Sequence, residues 1–303
     1  MRMLVTGAGG MLGRAVSERA TDRGWKVVAH PRAALDVGDR GAVRRAVADA
    51  RPDVVVNAAG YTRVDAAESD PATAWRANAD GAAAVAQACA EHGAALIHLS
   101  TDYVFDGRAT TPYAPDAPTN PLGVYGASKL AGEQAVRAAL ERHVILRTSW
   151  VFAPRGHNFV LTMARLARER EELRIVADQT GAPTSAGDLA EAVLEAAARA
   201  ARTERGGARG ADQPGKAAPW GTHHFRNAGQ TTWHGLACAV VDGLAGRAGV
   251  ICRRVVPIAT ADYPTPAARP AYSVLDMTTW SERFALAPRP WEAALHDVLA
   301  EVP

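Results

Sequence analysis

The stretch Thr6-Gly7-Ala8-Gly9-Gly10-Met11-Leu12-Gly13 follows directly on the apolar run Met3–Val5 and opens a helical pattern, Leu12–Arg23. Glycines at 7, 10 and 13 suit a tight turn, a close approach of backbone to a pyrophosphate, and close contact between helix and strand. The helix that follows presents free N–H groups and its positive dipole end at the same place. A turn of this kind after a Val-containing strand predicts dinucleotide binding. Working outward, Lys26–Ala29, Asp53–Val56, Ala95–Leu99 and Val144–Leu146 read as further buried strands. Between them Gly41–Ala50, Pro71–Glu91 and Val124–Glu141 read as helices. Strands alternating with helices at this spacing give right-handed crossovers and a doubly wound parallel sheet.

Beyond Trp150 the pattern loosens. Helices are expected at Phe159–Arg170, Gly187–Arg202, Thr232–Ala245 and Trp291–Val302, with strands at Arg174–Ala177 and His224–Asn227. The stretch Thr203–Gly221 is rich in Gly, Pro, Arg and Ala without periodicity and reads as an exposed insertion. The expected class is therefore α/β: a Rossmann domain over 1–150, joined by the strand and helix within 174–202, and a smaller C-terminal α/β substrate domain over 151–303.

With 303 residues, 48% of them hydrophobic, the chain can bury one large core or two that share a cleft. A net charge of +2 gives no field to draw it onto nucleic acid or a membrane surface. No apolar run reaches the length of a membrane span, and the first residues lack a signal-peptide layout. Cys89, Cys238 and Cys252 are far apart and lack metal-ligand spacing, so buried free thiols, no metal site and a cytoplasmic setting are expected. A monomer and a homodimer both remain open.

Lysine occurs only at Lys26, Lys129 and Lys216 in a chain whose other basic residues are arginine. Lys129 stands in Tyr125-Gly126-Ala127-Ser128-Lys129, where the i, i+4 spacing puts phenol and ammonium on one helix face. An ammonium beside a phenol favours the phenolate, which would bring Tyr125 below its ordinary value and suit it to proton transfer at a carbonyl. Tyr and Lys four apart also arise by chance, but the rarity of lysine here weighs against that. The fourth strand ends in Leu99-Ser100-Thr101-Asp102-Tyr103. Ligands of open α/β sheets bind beyond such strand ends, which places Thr101 beside Tyr125 or else makes it an ordinary turn residue. At the end of the second strand His30 stands where NAD enzymes of this fold carry an acid, with Arg32 just after. Arg32 either pairs a 2′-phosphate or is a solvated loop residue; NADPH is favoured, NADH possible. Asp36 and Val37 fall beside the expected adenine position.

These features resemble the extended short-chain dehydrogenase/reductases. Within them, the chain resembles the dTDP-4-dehydrorhamnose reductases along its whole length. The matching segments are 57–65 (NAAGYTRVD) with Ala67-Glu68-Ser69, 100–107 (STDYVFDG), 147–152 (RTSWVF), and Asp178-Gln179 with Gly181-Ala182-Pro183-Thr184. Thr231-Thr232-Trp233-His234, Tyr263-Pro264-Thr265-Pro266 and Arg269-Pro270 continue the series. The resemblance implies reduction of the 4-keto group of dTDP-4-dehydro-6-deoxy-L-mannose to dTDP-L-rhamnose, with Thr101, Tyr125 and Lys129 as catalytic trio. It further implies Gly10, Met11, Leu12, Asp36, Val37, Ala59, Gly60 and Tyr61 along the cofactor, with Ala58 beside them. Val64, Asp102, Tyr103 and Trp150 would surround the dTDP-sugar; Trp150 by itself suits sugar stacking and core packing equally.

Departures from the family pattern are His30 for Asp, Gly60 for Ala, Tyr272 before Ser273 where Asn is common, and the 203–221 insertion. A sugar-nucleotide dehydratase would have Glu where Tyr103 stands, and so would keep an acid/base this chain lacks. Two alternatives share the trio: a 4-ketoreductase of another dTDP-deoxysugar, as in dihydrostreptose formation, and a non-catalytic regulatory subunit that holds the dinucleotide as a structural ligand.

Overall fold

The computed structural model describes residues 1–205 and 218–302. Strands β1 (Arg2–Thr6), β2 (Lys26–His30), β3 (Val54–Asn57), β4 (Ala95–Thr101) and β5 (His143–Thr148) alternate with helices α1 (Met11–Asp22), α2 (Arg40–Ala50), α3 (Val64–Ser69), α4 (Pro71–Trp75), α5 (Gly81–His92) and α6 (Val124–Ala139). The C-terminal part adds β6 (Val151–Phe152), α7 (Phe159–Glu169), β7 (Glu172–Val176), β8 (Thr180–Gly181), β9 (Thr184–Ser185), α8 (Ala186–Arg205), β10 (Gly221–His224), β11 (Thr231–Thr232), α9 (Trp233–Gly243), β12 (Arg254–Ile258), α10 (Thr278–Arg283) and α11 (Trp291–Ala300).

Six strands form one sheet in the order β2-β1-β3-β4-β5-β10, every pairing parallel. Strands β3, β4 and β5 are buried at every position, as expected of central strands covered on both faces. β2 is an edge, and its burial is correspondingly patchy. One face of the sheet packs on α1, α8 and α10 through residues such as Val16, Leu189, Val193 and Trp280. The other face packs on α2, α5 and α6 through Val43, Val47, Val85 and Val136. The chain reverses direction across the sheet between β1 and β3, so the crevice at their carboxyl ends is where a ligand of this fold sits.

Several expectations shift. The helix expected over Pro71–Glu91 is α4, a π-helical turn at Arg76–Asp80, and then α5. The strand expected at 174–177 does not join the large sheet; β7 pairs in parallel with β12. The strand expected at His224–Asn227 runs instead over Gly221–His224 and takes the edge beside β5. The expected insertion at 203–221 is narrower, because α8 continues to Arg205 and β10 starts at Gly221. Residues 206–217 lie outside the described part. The C-terminal helices α7, α9 and α11 close a separate cluster around Phe152, Met163, Leu236 and Trp291. Among the described residues, no helix is long and apolar enough to cross a membrane.

Candidate active site

The glycine turn is built by contact as much as by flexibility. Gly7 has φ +68°, and a Cβ on it would lie 2.6 Å from the Ala58 carbonyl carbon at the end of β3. A Cβ on Gly13 would lie 2.3 Å from the Gly7 oxygen, so α1 starts flush against the turn. The Gly10 N–H donates to the Gly7 carbonyl at 2.9 Å. Gly10 then caps α1 without a side chain, leaving first-turn N–H groups for an anion.

From this turn a cleft of about 370 Å³ runs across the carboxyl ends of β1, β3 and β4. Gly7, Gly10, Met11, Leu12 and Gly13 line it at one side, and Ala58, Ala59, Gly60 and Tyr61 at another. Arg32, Asp36 and Val37 line its outer end, Tyr125 and Lys129 its inner end. A glycine turn packed flush against the end of β3 and the start of α1, with uncapped N–H groups at its mouth and an arginine at the far end of the cleft, fits a phosphorylated dinucleotide. His30 is different: it is not among the lining residues, and its carbonyl accepts from the Ala8 N–H at 3.1 Å. Of the two β2-end residues singled out from sequence, Arg32 alone faces the cleft.

Two lining or supporting residues escaped the sequence. Arg76, at the start of the π-helical turn, lines the cleft and donates to Asp36 Oδ2 at 2.7 Å. Asn78, in the same turn, accepts from the Tyr61 N–H at 2.8 Å and donates to the Tyr61 carbonyl at 3.1 Å and the Ser128 Oγ at 3.0 Å. It thus ties the cofactor-side loop after β3 to the helix that carries Tyr125 and Lys129. A π turn re-aims side chains relative to an α-helix, and no periodicity reports it.

Helix α6 is aimed from both ends of its first turn. Glu68 Oε1 of α3 accepts from the Val124 N–H at 2.8 Å, a carboxylate at the positive end of the helix. A Cβ on Gly126 would lie 2.2 Å from the Tyr103 carbonyl oxygen, so the helix rests on the turn after β4. Tyr125 and Lys129 are both buried there. Lys129 Nζ donates to the Leu99 carbonyl at 2.6 Å. The Thr101 hydroxyl lies near enough to the Tyr125 phenol to favour its ionised form. Thr101 donates in turn to Asp102 Oδ1 at 3.0 Å and accepts from the Tyr103 N–H at 3.2 Å. The ring of Tyr103 meets that of Tyr125 edge-on at 5.5 Å.

The electrostatics correct one expectation. Burial pushes the Tyr125 phenol up to about 12, against the lowering effect of the Thr101 hydroxyl and with the help of the Asp102 charge. Lys129 does not produce the lowered phenol inferred from spacing: burial dominates, and the ammonium points at the Leu99 carbonyl. Burial also brings Lys129 down to about 8, with Glu133 opposing. Asp102 is pushed up to about 6 by burial, against the lowering influence of the Ser273 and Thr101 hydroxyls, and its buried Oδ2 has no hydrogen-bond partner among the described residues. A buried, half-satisfied carboxyl next to a phenol is an open acceptor for a ligand hydroxyl. At neutral pH the phenol stays protonated and can donate.

Val64, Asp102, Tyr103 and Trp150 lie outside the dinucleotide cleft. Val64 and Tyr103 pack around Tyr125 with Tyr61 and Val124. Trp150 adopts φ +47°, an uncommon conformation for so large a residue. Its indole stacks on Trp233 with centroids 3.5 Å apart and 8° between planes. A Cβ on Gly181 would be 2.4 Å from Cε2, 2.5 Å from Cζ2 and 2.8 Å from Nε1 of that indole. Those distances put Gly181 over the ring, not beside it. Trp150 is therefore sandwiched, and it meets any ligand by its rim.

Fold and site together define an oxidoreductase built on a Rossmann sheet. The chain belongs to the family described as RmlD substrate binding domain, which matches residues 1–303. It is 45% identical over 298 residues to a dTDP-4-dehydrorhamnose reductase of Burkholderia thailandensis, covering 97% of each chain. It is 41% identical over 304 residues to a Streptomyces antibioticus protein named "Probable dTDP-4,6-dihydroxy-2-methyloxan-3-one 4-ketoreductase", covering 100% of this chain and 96% of that one. A crystal structure of dTDP-4-dehydrorhamnose reductase from Bacillus anthracis in complex with NADP superposes with a TM-score of 0.87 at 33% identity, covering 99% of both chains.

Proposed function

We propose that the chain reduces the 4-keto group of dTDP-4-dehydro-6-deoxy-L-mannose to give dTDP-L-rhamnose, with NADPH as the preferred reductant and NADH as a possible one. The observation that carries this is a buried Tyr125 phenol, beside Thr101 and one helical turn from Lys129, at the inner end of the cleft that starts at the glycine turn. Residues 1–150 provide most of the cofactor half and 151–303 most of the substrate half. The N–H groups at the start of α1 would hold the pyrophosphate, Asp36 and Val37 the adenine edge, and Arg32 the 2′-phosphate. Ala58, Ala59, Gly60 and Tyr61 would line the nicotinamide half, and Lys129 would hold its ribose. The bound nicotinamide supplies the hydride. Thr101 and Tyr125 orient the sugar carbonyl by its oxygen, and Tyr125 delivers the proton that oxygen needs as it becomes a hydroxyl. The phenolate left behind is favoured by the neighbouring Thr101 hydroxyl. Val64, Asp102, Tyr103 and the rim of Trp150 would hold the sugar nucleotide, with the open Asp102 Oδ2 taking a sugar hydroxyl. One chain supplies the whole trio, so a monomer or a homodimer would serve, and free thiols suit the cytoplasm.

The similarity to the Streptomyces antibioticus protein favours a second substrate, another dTDP-4-keto-deoxysugar. Both are tested by following nicotinamide absorbance with each keto sugar generated in situ, with NADPH and NADH in parallel, and identifying the product. Oxidation of NADPH with formation of dTDP-L-rhamnose supports the first substrate. Turnover of a different 4-keto sugar alone supports the second, and binding of dinucleotide without turnover of any keto sugar refutes both.

A further inference from the structure

Below the catalytic residues lies a buried charge cluster that the reaction as described does not use. Tyr125, Lys129 and Glu133 stand at i, i+4 and i+8 on α6, one face of the helix. Glu133 is fully buried and engaged on every side. Its Oε1 accepts from Ser100 Oγ at 2.6 Å and from Arg147 Nε at 2.8 Å. Its Oε2 accepts from Arg147 Nη2 and from Arg137 Nη2, both at 2.7 Å. Ser100 lies between Leu99, whose carbonyl takes the Lys129 ammonium, and Thr101. One carboxylate thus binds α6 to the end of β4 and to β5.

The groups that face Lys129 and Glu133 can be counted by element. From α6 itself come Tyr125 and Arg137, from β4 His98 and Ser100, from β5 Arg147, and from β10 His224. Burial, with Lys129 adding to it, holds His98 well below the usual imidazole range, and burial brings His224 down to about 3, so both rings are neutral near pH 7. Asp102 at the end of β4 acts on Tyr125. That leaves a single carboxylate against three cations: Lys129, Arg137 and Arg147.

We infer that Glu133 is a positioning residue for the reaction: it balances the buried Lys129 ammonium and, through Ser100, holds the strand end where Lys129 is anchored and Thr101 begins. The inference rests on Lys129 belonging to the catalytic trio. If the carboxylate charge were removed, the cluster would have to lose positive charge. Arginine cannot give up its proton in a protein, whereas a buried lysine can. Lys129 is therefore the group that responds.

The chain has only three lysines, so the Lys129 side chain can be followed directly by NMR of its Cε and Nζ, assigned with Lys26→Arg and Lys216→Arg variants. Glu133→Gln keeps one acceptor oxygen, for Ser100 and Arg147 Nε, and removes the charge together with the acceptor for Arg147 Nη2 and Arg137. It should lower the Lys129 titration midpoint by about one unit or more, and move the basic limb of the kcat profile down by the same amount. Arg137→Ala removes a half-exposed competing cation and should move both readouts upward; it carries the test if Glu133→Gln fails to fold. Glu133→Asp should recover part of the wild-type midpoint. A Lys129 midpoint unchanged in Arg137→Ala, and in Glu133→Gln where that variant folds, would overturn the inference, because a purely structural Glu133 lowers stability and leaves the midpoint alone. Wild-type protein that turns over no keto sugar would remove the reductase proposal instead, with the lysine titration still readable.

Discussion

A single oxygen separates Tyr125 from phenylalanine, and the ring's packing against Ala67, Ala74, Tyr61, Val64, Tyr103 and Val124 does not depend on that oxygen. Tyr125→Phe should therefore keep dinucleotide affinity, read by protein fluorescence or calorimetry, while kcat falls by about 10²–10⁴. Near-normal turnover would end its role as proton donor. Lys129 gives a second expectation with opposite signs for activity and stability. Its folded value is lowered from 10.5 to about 8, chiefly by burial. Activity that needs the ammonium should thus decline as pH rises through about 8. The fold binds fewer protons than the unfolded chain between those two values, so this residue's contribution to stability rises across the same window. Denaturation midpoints at pH 7.5 and 9.5, compared between wild type and Lys129→Met, would separate the two effects.

At the scale of elements, the Glu133–Arg147 contact is what fastens α6 to β5. Breaking a buried pair from one side leaves the other charge uncompensated, which costs about 3–5 kcal/mol. Arg147→Met should lower the melting temperature far more than removal of an exposed pair such as Arg165–Glu169. Burial opposes ionisation of Glu133, but Arg147, Ser100 and Arg137 outweigh it and bring the carboxyl from 4.5 to about 2. With a folded value below the unfolded one, this stabilisation is complete above about 4.5 and is lost as pH falls toward 2. Melting temperature against pH should show a steeper acid decline in wild type than in a Glu133→Gln/Arg147→Met pair; parallel curves would contradict it. Elements also show where a sequence stops being legible. The glycine turn and the Tyr125–Lys129 spacing are local patterns, and both lie where they were expected. Residues Arg76, Asn78 and Glu133 gain their meaning from partners 14 to 50 residues away or from a π turn. The charge environment of Tyr125 was misjudged for the same reason, since spacing shows a neighbour and not the depth of burial around it.

On the scale of the whole molecule, the alternation of strands and helices up to Leu146 fixed the sheet, and the family resemblance covered the rest of the chain. What periodicity could not supply was which late segments return to the sheet. Arg174–Ala177, apolar and strand-like, pairs elsewhere; Gly221–His224, with two histidines, takes the sheet edge. That choice is made by tertiary contact, through Phe225 and Trp280 packed against α8. The same late segments supply α8, whose contact with α1 covers one face of the sheet.

Production of the chain on the ribosome inherits a constraint from that arrangement. When residue 150 leaves the exit tunnel, β5 still lacks its neighbour β10, and the face under α1 still lacks α8. The nascent first half would carry a bare apolar face and an unpaired strand edge until α8 and β10 have been made, about a further quarter of the chain, a period in which it is open to chaperones and to self-association. A fragment ending at residue 150 should accordingly be recovered aggregated or unfolded and without dinucleotide affinity. Soluble, cofactor-binding fragment would mean that the first half folds on its own and that the later segments only dock.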